Sequence, residues 1–447
     1  MIRNVRTTAS FSINDPQEIK QQMLTWATPF NICCFLDSQD YPGQPASPTG
    51  FECLLAVGAV DSLKASAGTA FRQLKTWAAG RQDWIFGHLS YDLAKETEPV
   101  FSGLPPLSHP DPVGFPDLFF FIPEILIELQ ASCIRIGTLT ADAETIWEQI
   151  RATPVPPTPQ PGGNPIHFTP RFTREEYLGT VNDLRRHILR GDCYEINFCQ
   201  EFFAQPAAID PGPTWLALNQ ASPNPFSAFY RIDESYLLCA SPERYLRKTG
   251  NTLCSQPIKG TAPRYPNDAG ADAASGLELF RSPKDRSENV MVVDLVRNDL
   301  ARVCEPGSVR VAELYGVYPF PQVFQMISTI EGELASGYDW VDALEATFPM
   351  GSMTGAPKNK VVQLIGQYER SRRGLFSGAL GYLTPQQDFD FNVVIRSLLY
   401  NRENGYLSYQ VGSGITWYSD PAAEYEECLV KAAGIRKALA TLFPFSL

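Results

Sequence analysis

A chain of 447 residues that is 44% hydrophobic and 19% charged can bury a large core, which excludes global disorder, and is long enough for about two to three domains or one large one. With 37 Lys and Arg against 49 Asp and Glu the net charge is −12, so no chain-wide field draws in phosphate backbones and nucleic acid is not an expected partner. Ten scattered cysteines without a Cys-x-x-Cys pair and four dispersed histidines read as reduced core thiols and argue against a zinc site, leaving oxygen ligands for any metal.

The first sixteen residues lack the apolar segment of a signal peptide, and no stretch reaches the ~18 uncharged apolar residues of a membrane span. The longest apolar run, 116–129, holds Asp117, Glu124 and Glu128. A cytoplasmic protein without membrane segments is expected. In chain order the pattern predicts a helix at Pro16–Thr28, strands at Ile32–Leu36, Cys53–Val57, Trp84–Leu89 and Leu118–Leu129, and a helix at Ala141–Ile150. Prolines at 154, 156, 157, 159, 161, 165 and 170 make residues 151–170 an extended connector between an N-terminal region, 1–150, and a larger region, 171–447.

Thr173 with Glu176 three residues on forms a capping box, followed by Tyr177, Val181, Leu184 and Ile188 at helical spacing up to Gly191. Further strands are predicted at Phe226–Tyr230, Tyr236–Cys239, Gly374–Leu383, Phe391–Tyr400 and Tyr406–Val411, and helices at Ser287–Val303, Trp340–Thr347, Lys358–Gln367 and Ala422–Leu442. Strands and helices mix without regular alternation, so an α+β body of packed sheets is favoured over a barrel or a Rossmann fold.

Several local patterns could carry chemistry. Lys259 lies between an apolar strand and a Gly-Thr turn; it is either a surface hairpin lysine or a nucleophile, and a nucleophile must be neutral, its pKa of ~10.4 brought down toward ~7–8. Asp285 and Glu288 sit in a helix's first turns, where they could simply satisfy the helix dipole. Glu424, Glu427 and Lys431 share one helical face that could be solvated. Carboxylates from two such helices meeting at one point would instead make a hard-oxygen magnesium site. Glycine-rich turns at Gly351–Gly355 and Gly412–Gly414 let backbone N–H groups approach an anion. Arg396, in an apolar strand, needs a counter-anion that a ligand carboxylate would supply.

Taken in order, Ser241-Pro-Glu-Arg-Tyr245, Pro257-Ile-Lys-Gly-Thr261, Glu288 with Asp294-Leu-Val-Arg-Asn-Asp299, Gly351-Ser-Met-Thr-Gly-Ala-Pro-Lys358, Ile395-Arg-Ser397, Gly412-Ser-Gly-Ile415 and Glu424-Tyr-Glu-Glu427 with Lys431 resemble the chorismate-utilising enzyme family over about residues 170 to 440. The resemblance implies two packed β-sheets surrounded by helices, chorismate as substrate and Mg²⁺ as cofactor. Lys259 is similar to the branch that exchanges the C4 hydroxyl of chorismate for an amine, whereas anthranilate synthases generally carry alanine there. Gln325 stands where those enzymes have a histidine, and glutamine cannot shuttle a proton near neutral pH. Anthranilate formation, or a silent chorismate-binding regulatory subunit, are the alternatives.

On this resemblance, Lys259 attacks the ring, Glu243 protonates the leaving hydroxyl and Thr261 orients it. Glu288 and Glu427 hold Mg²⁺, supported by Glu424 and Asp285. Arg396 binds the enolpyruvyl carboxylate, while Lys431 and the backbone of Gly412, Ser413 and Gly414 cradle the ring carboxylate, with Thr354 also against the substrate. The sequence shows no glutaminase cysteine pattern, so ammonia is expected from solution or from a separate glutamine amidotransferase subunit.

Overall fold

Apolar runs that do not alternate with polar residues need burial on both faces of a sheet. The computed structural model describes residues 6–39, 51–98, 109–155, 162, 165–443 and 445–446, and among these the runs are satisfied by stacking two antiparallel sheets of twelve and ten strands. Side chains alternate between two cores, as a period of two dictates. Cys34, Leu54, Tyr230 and Leu237 of the larger sheet meet Phe86, Phe120 and Phe391 of the smaller one. Their neighbours Cys33, Phe35, Leu55, Phe229 and Leu238 point the other way, into a layer containing Met23, Trp215 and Leu439 from helices Pro16–Trp26, Pro211–Ala221 and Ala433–Leu442.

Both sheets draw strands from both ends of the chain. Ile32–Asp37 pairs with Phe226–Ile232 in the larger sheet, and Ile85–Leu89 pairs with Ala379–Leu383 in the smaller. Of the prolines expected to extend residues 151–170, those at 156, 157, 159 and 161 lie outside the described residues. On either side, helix Ala143–Ala152 leads in, and Ile166–His167 pairs in parallel with Phe445–Ser446. Helix Arg174–Leu189 starts on the expected capping box: the Glu176 N–H donates to Thr173 Oγ1 at 3.2 Å and the Thr173 N–H to Glu176 Oε2 at 2.8 Å.

The chain passes from one sheet to the other at sharp corners, and there the predicted elements need correction. Leu118–Leu129 is two strands, Leu118–Ile122 in the smaller sheet and Ile125–Gln130 in the larger, parted at Pro123, which has no N–H for a ladder. Phe391–Tyr400 is likewise two, Phe389–Val393 and Ser397–Asn401, with Arg396 between them at φ +54°. A third corner, Pro242-Glu243, joins Ser235–Ser241 to Arg244–Thr249. The helix expected over Ala422–Leu442 also divides, into Pro421–Lys431 and Ala433–Leu442. No described helix is long and apolar enough to cross a membrane, and all the cysteines are free thiols, buried except Cys133.

Candidate active site

Two of those corners, with Glu243 and Arg396, open onto one cavity of about 560 Å³. Residues turned out of a ladder can face a ligand from fixed backbone, so corners between sheets are natural places for a site. Lys259 reaches the cavity by a similar device. Strand Ile258–Pro263 pairs with Val323–Glu333 through a register shift between Ile258 and Thr261. The shift holds Lys259 and Gly260, the latter at φ +94° with Asp285 so close that a Cβ would lie 2.9 Å from its Cβ. Only glycine fits there, and the bulge aims Lys259 inward.

Helices Pro283–Ala301 and Pro421–Lys431 bring Lys284, Asp285 and Glu288, and Glu427 and Lys431, to the same wall. Gly412 and Gly414 of strand Tyr406–Ile415 line the cavity as well, as do Thr261 and, opposite it in the ladder, Gln325. The lining thus carries four cations, Lys259, Lys284, Arg396 and Lys431, beside the carboxylates Glu243, Asp285, Glu288 and Glu427. A small dicarboxylate could be neutralised from several sides, and the acids leave capacity to move protons or hold a divalent ion.

Burial sets the protonation of the acids. Glu243, 4% exposed, is pushed up to about 7, chiefly by burial, which the Ser352 hydroxyl and the Lys259 charge only partly offset. Glu288 is also raised to about 7 by burial, with Lys259 and Lys284 pulling it back. Burial pushes the same way on Glu427, but the Lys431 ammonium 2.7 Å away overcomes it and holds that carboxyl below its ordinary value.

Lys259 corrects the sequence expectation. Burial alone would lower it, yet Glu195, Glu288 and Glu427 prevail and keep it protonated, above the ordinary lysine value. Its Nζ donates to Glu195 Oε1 at 2.6 Å. A neutral amine therefore has to be produced by proton transfer, since the carboxylates around Lys259 favour its ammonium form.

Other expected residues fall into three groups. Arg396 lines the cavity, but from a corner and not from a strand, and its Nη1 donates to the Lys431 carbonyl at 2.9 Å. Lys431 is not a free charge: its Nζ donates to the Gly412 carbonyl at 2.8 Å as well as pairing with Glu427. Thr354 does not line the cavity; it is fully buried, with its hydroxyl donating to the Met350 and Gly351 carbonyls, and Ser352 and Met353 face the cavity in its place. The Ser413 side chain is buried away from the cavity that Gly412 and Gly414 line, as alternation along a strand requires. Glu195 and Lys284 were not anticipated, although a glutamate opening the apolar run Glu195-Ile-Asn-Phe-Cys was a signal.

Among the described residues no group of three or more His, Cys, Asp or Glu side chains forms a ready-made metal site. The donor set nonetheless suits Mg²⁺, which takes one or two protein carboxylates and fills its remaining positions with water and substrate oxygens. Glu288 Oε1 and Glu424 Oε1 are buried without a hydrogen-bond donor, and the nearest cation, Lys284 Nζ, is 3.8 Å from the first and 3.6 Å from the second.

The sequence profile of the chorismate binding enzyme family matches residues 33–437. Aminodeoxychorismate synthase component 1 of Klebsiella aerogenes is 36% identical over 357 residues, 77% of this chain and 74% of that protein. Anthranilate synthase component 1 of Thermus thermophilus is 34% identical over 364 residues, 79% and 77% of the two chains. The crystal structure of anthranilate synthase component I from Streptococcus pneumoniae superposes with a TM-score of 0.76 at 26% identity, covering 90% of this chain and 95% of that one.

Proposed function

This chain belongs to the chorismate binding enzyme family, and from that premise we propose that it converts chorismate and ammonia to 4-amino-4-deoxychorismate, the activity named in its aminodeoxychorismate synthase relatives. The observation that carries this reading is Lys259, aimed into the cavity that Glu243 also lines. Anthranilate formation needs no lysine at this position, and Gln325, which also lines the cavity, cannot relay a proton as a histidine would.

In this reading Arg396 holds the enolpyruvyl carboxylate through its planar fork. The ring carboxylate lies against Gly412 and Gly414, where no Cβ intrudes. Lys431 acts by bracing Glu427 and the Gly412 carbonyl, a positioning role in place of direct capture. Glu288 and Glu427, with Glu424 adjoining, hold Mg²⁺, which when bound supplies a positive charge for the ring carboxylate.

Lys259, once deprotonated, bonds to C2 of the ring while the ring double bonds shift and the C4–O bond breaks. Hydroxide is a poor leaving group, so Glu243 gives it a proton and water departs; a carboxyl raised to about 7 keeps a substantial protonated fraction, about half, near neutral pH. Thr261 orients the departing oxygen. Ammonia then adds at C4, the double bonds shift back and the lysine leaves. Splitting one substitution into two steps keeps C2 shielded while C4 is aminated. A separate glutamine amidotransferase subunit is the proposed ammonia source, and the product would feed p-aminobenzoate and folate synthesis in the cytoplasm.

The test is intact-protein mass after incubation with chorismate and Mg²⁺ but no ammonia. Wild type should gain an adduct mapped to Lys259, and Lys259→Ala should gain none; with ammonium present, chromatography should show 4-amino-4-deoxychorismate. Normal turnover by a wild-type protein that never carries the adduct would refute the covalent route.

A further inference from the structure

An ammonium ion has no lone pair, and Lys259 stands among carboxylates that favour its charged form. Glu195 faces it from strand Glu195–Ala204, Glu288 from helix Pro283–Ala301 and Glu427 from helix Pro421–Lys431. Glu243 feels its charge from the corner after Ser241, and Lys284, Arg396 and Lys431 complete the charged lining of the cavity. Whatever group removes the proton must touch Nζ. Among the described residues one acceptor does so: Glu195 Oε1, at 2.6 Å.

Glu195 is placed for more than charge balance. Its side chain is 2% exposed against 11% for Lys259, and it does not line the cavity, so it sits behind the lysine, away from substrate. Its second oxygen, Oε2, is buried with no hydrogen-bond partner. A carboxylate with one oxygen on an ammonium and the other left empty in the interior has room for a proton and no competing donor. The glycine at 414 makes this arrangement possible, since a Cβ there would lie 2.7 Å from Lys259 Nζ and 2.8 Å from Glu195 Oε1.

We infer that Glu195 is a catalytic residue that takes a proton from Lys259 before attack and returns it when the lysine leaves; this rests on the covalent reading above. The steps balance. An Nζ–H bond breaks and its proton goes to the Glu195 carboxylate, leaving a neutral amine and a neutral acid. The amine lone pair forms the Nζ–C2 bond as the C4–O bond breaks and Glu243 protonates the departing oxygen. Nζ is now a secondary ammonium, a competent leaving group. When ammonia bonds to C4, the new C4 ammonium returns a proton to Glu243. The C2–Nζ electrons go back to nitrogen, and the freed amine recovers its proton from Glu195. Chorismate and ammonia are consumed, water and the aminated product are released, and both glutamates end as they began.

The experiment is rapid-quench intact mass of wild type, Glu195→Gln and Glu195→Asp with chorismate and Mg²⁺ and without ammonia, from pH 6 to 9.5, with chorismate affinity measured by calorimetry alongside. Glutamine keeps the shape and a hydrogen bond to Nζ but cannot take the proton. Adduct formation in Glu195→Gln should be at least tenfold slower than wild type at pH 7, at similar affinity. The gap should narrow as pH rises and hydroxide takes over the deprotonation. Titration of Glu243 is common to all three proteins and cancels from the ratio. Glu195→Asp, which keeps a carboxylate, should hold a constant ratio to wild type across the range, and it carries the comparison should the glutamine variant fold poorly. An unchanged rate in Glu195→Gln, a rate deficit independent of pH, or a ratio for Glu195→Asp that varies with pH as a loss of base would, overturns the inference while the adduct on wild type still stands. Absence of the adduct on wild type overturns the covalent reading itself.

Discussion

Glu243→Gln separates what the fold wants from what the chemistry wants. In the folded chain Glu243 titrates at about 7 in place of about 4.5, because its side chain is buried. Below pH 4.5 both folded and unfolded chains are protonated at this position and it contributes no difference. Between 4.5 and 7 the unfolded chain loses its proton while the folded chain keeps it, so stability falls as pH rises. Above 7 the loss is complete, about 3 kcal/mol at most, from 1.36 kcal/mol for each pH unit of displacement. Glutamine is neutral throughout and removes this dependence. Urea unfolding without Mg²⁺ or chorismate should therefore find the variant more stable than wild type at pH 8, by about 1–3 kcal/mol, with the advantage disappearing toward pH 4. The same variant should lose roughly 10²- to 10⁴-fold in turnover, the usual contribution of a general acid. A stability difference that does not change with pH, or a variant with wild-type turnover, would show that Glu243 is not a strained acid kept for proton donation.

Much of this was legible because certain residues contradict their surroundings. Lys259, Glu288, Arg396 and Glu427 are charges in or beside apolar runs, and the structure brings all four to one cavity. Elements with strong local signals also stand where expected: strand Cys53–Val57, helix Trp340–Thr347 and the Thr173 cap. The corners were hidden for a physical reason. The strands that meet at these corners are buried on both faces, so the apolar run continues through the bend, and Pro123, Pro242 and the left-handed φ of Arg396 mark where it turns. Strand Tyr406–Ile415 runs four residues past its predicted end at Val411, which is what turns Ser413 away from the cavity. Thr354 was misplaced because a glycine-rich segment before a helix suggests an anion cradle, whereas here the threonine hydroxyl follows a single turn, Gly351–Met353, and donates to the Met350 and Gly351 carbonyls. The Lys259–Glu195 contact joins residues 64 apart in sequence, and no local pattern encodes the partner that reverses a lysine's expected protonation.

Arg396→Lys replaces a planar fork by a point charge; kcat/KM for chorismate should fall at least about tenfold, since misplacement at a binding group spreads to the reacting atoms, and steady-state kinetics measures it. Glu427→Gln removes the carboxylate that Lys431 now pairs with, so the Mg²⁺ concentration for half-maximal rate should rise about tenfold or more, the range seen when the support of a metal site is lost; titration of activity against Mg²⁺ decides it, and an unchanged requirement would remove Glu427 from the metal site. Gly414→Ala tests the space around the reacting nitrogen. A methyl group there would need to occupy a point 2.7 Å from Lys259 Nζ and 2.8 Å from Glu195 Oε1, closer than non-bonded carbon tolerates. Both contacts are the ends of side chains, which can retreat, so the fold should lose no more than the ~1–3 kcal/mol typical of overpacking. The retreat moves the nucleophile, and about 1 Å at that point is worth about 10² in rate. Adduct formation should therefore fall about 10²-fold while the urea midpoint moves little, and chorismate should bind more weakly, because its ring carboxylate lies against Gly414. An alanine variant that forms the adduct at the wild-type rate would mean that Lys259 reaches C2 from a position other than the one it shares with Glu195.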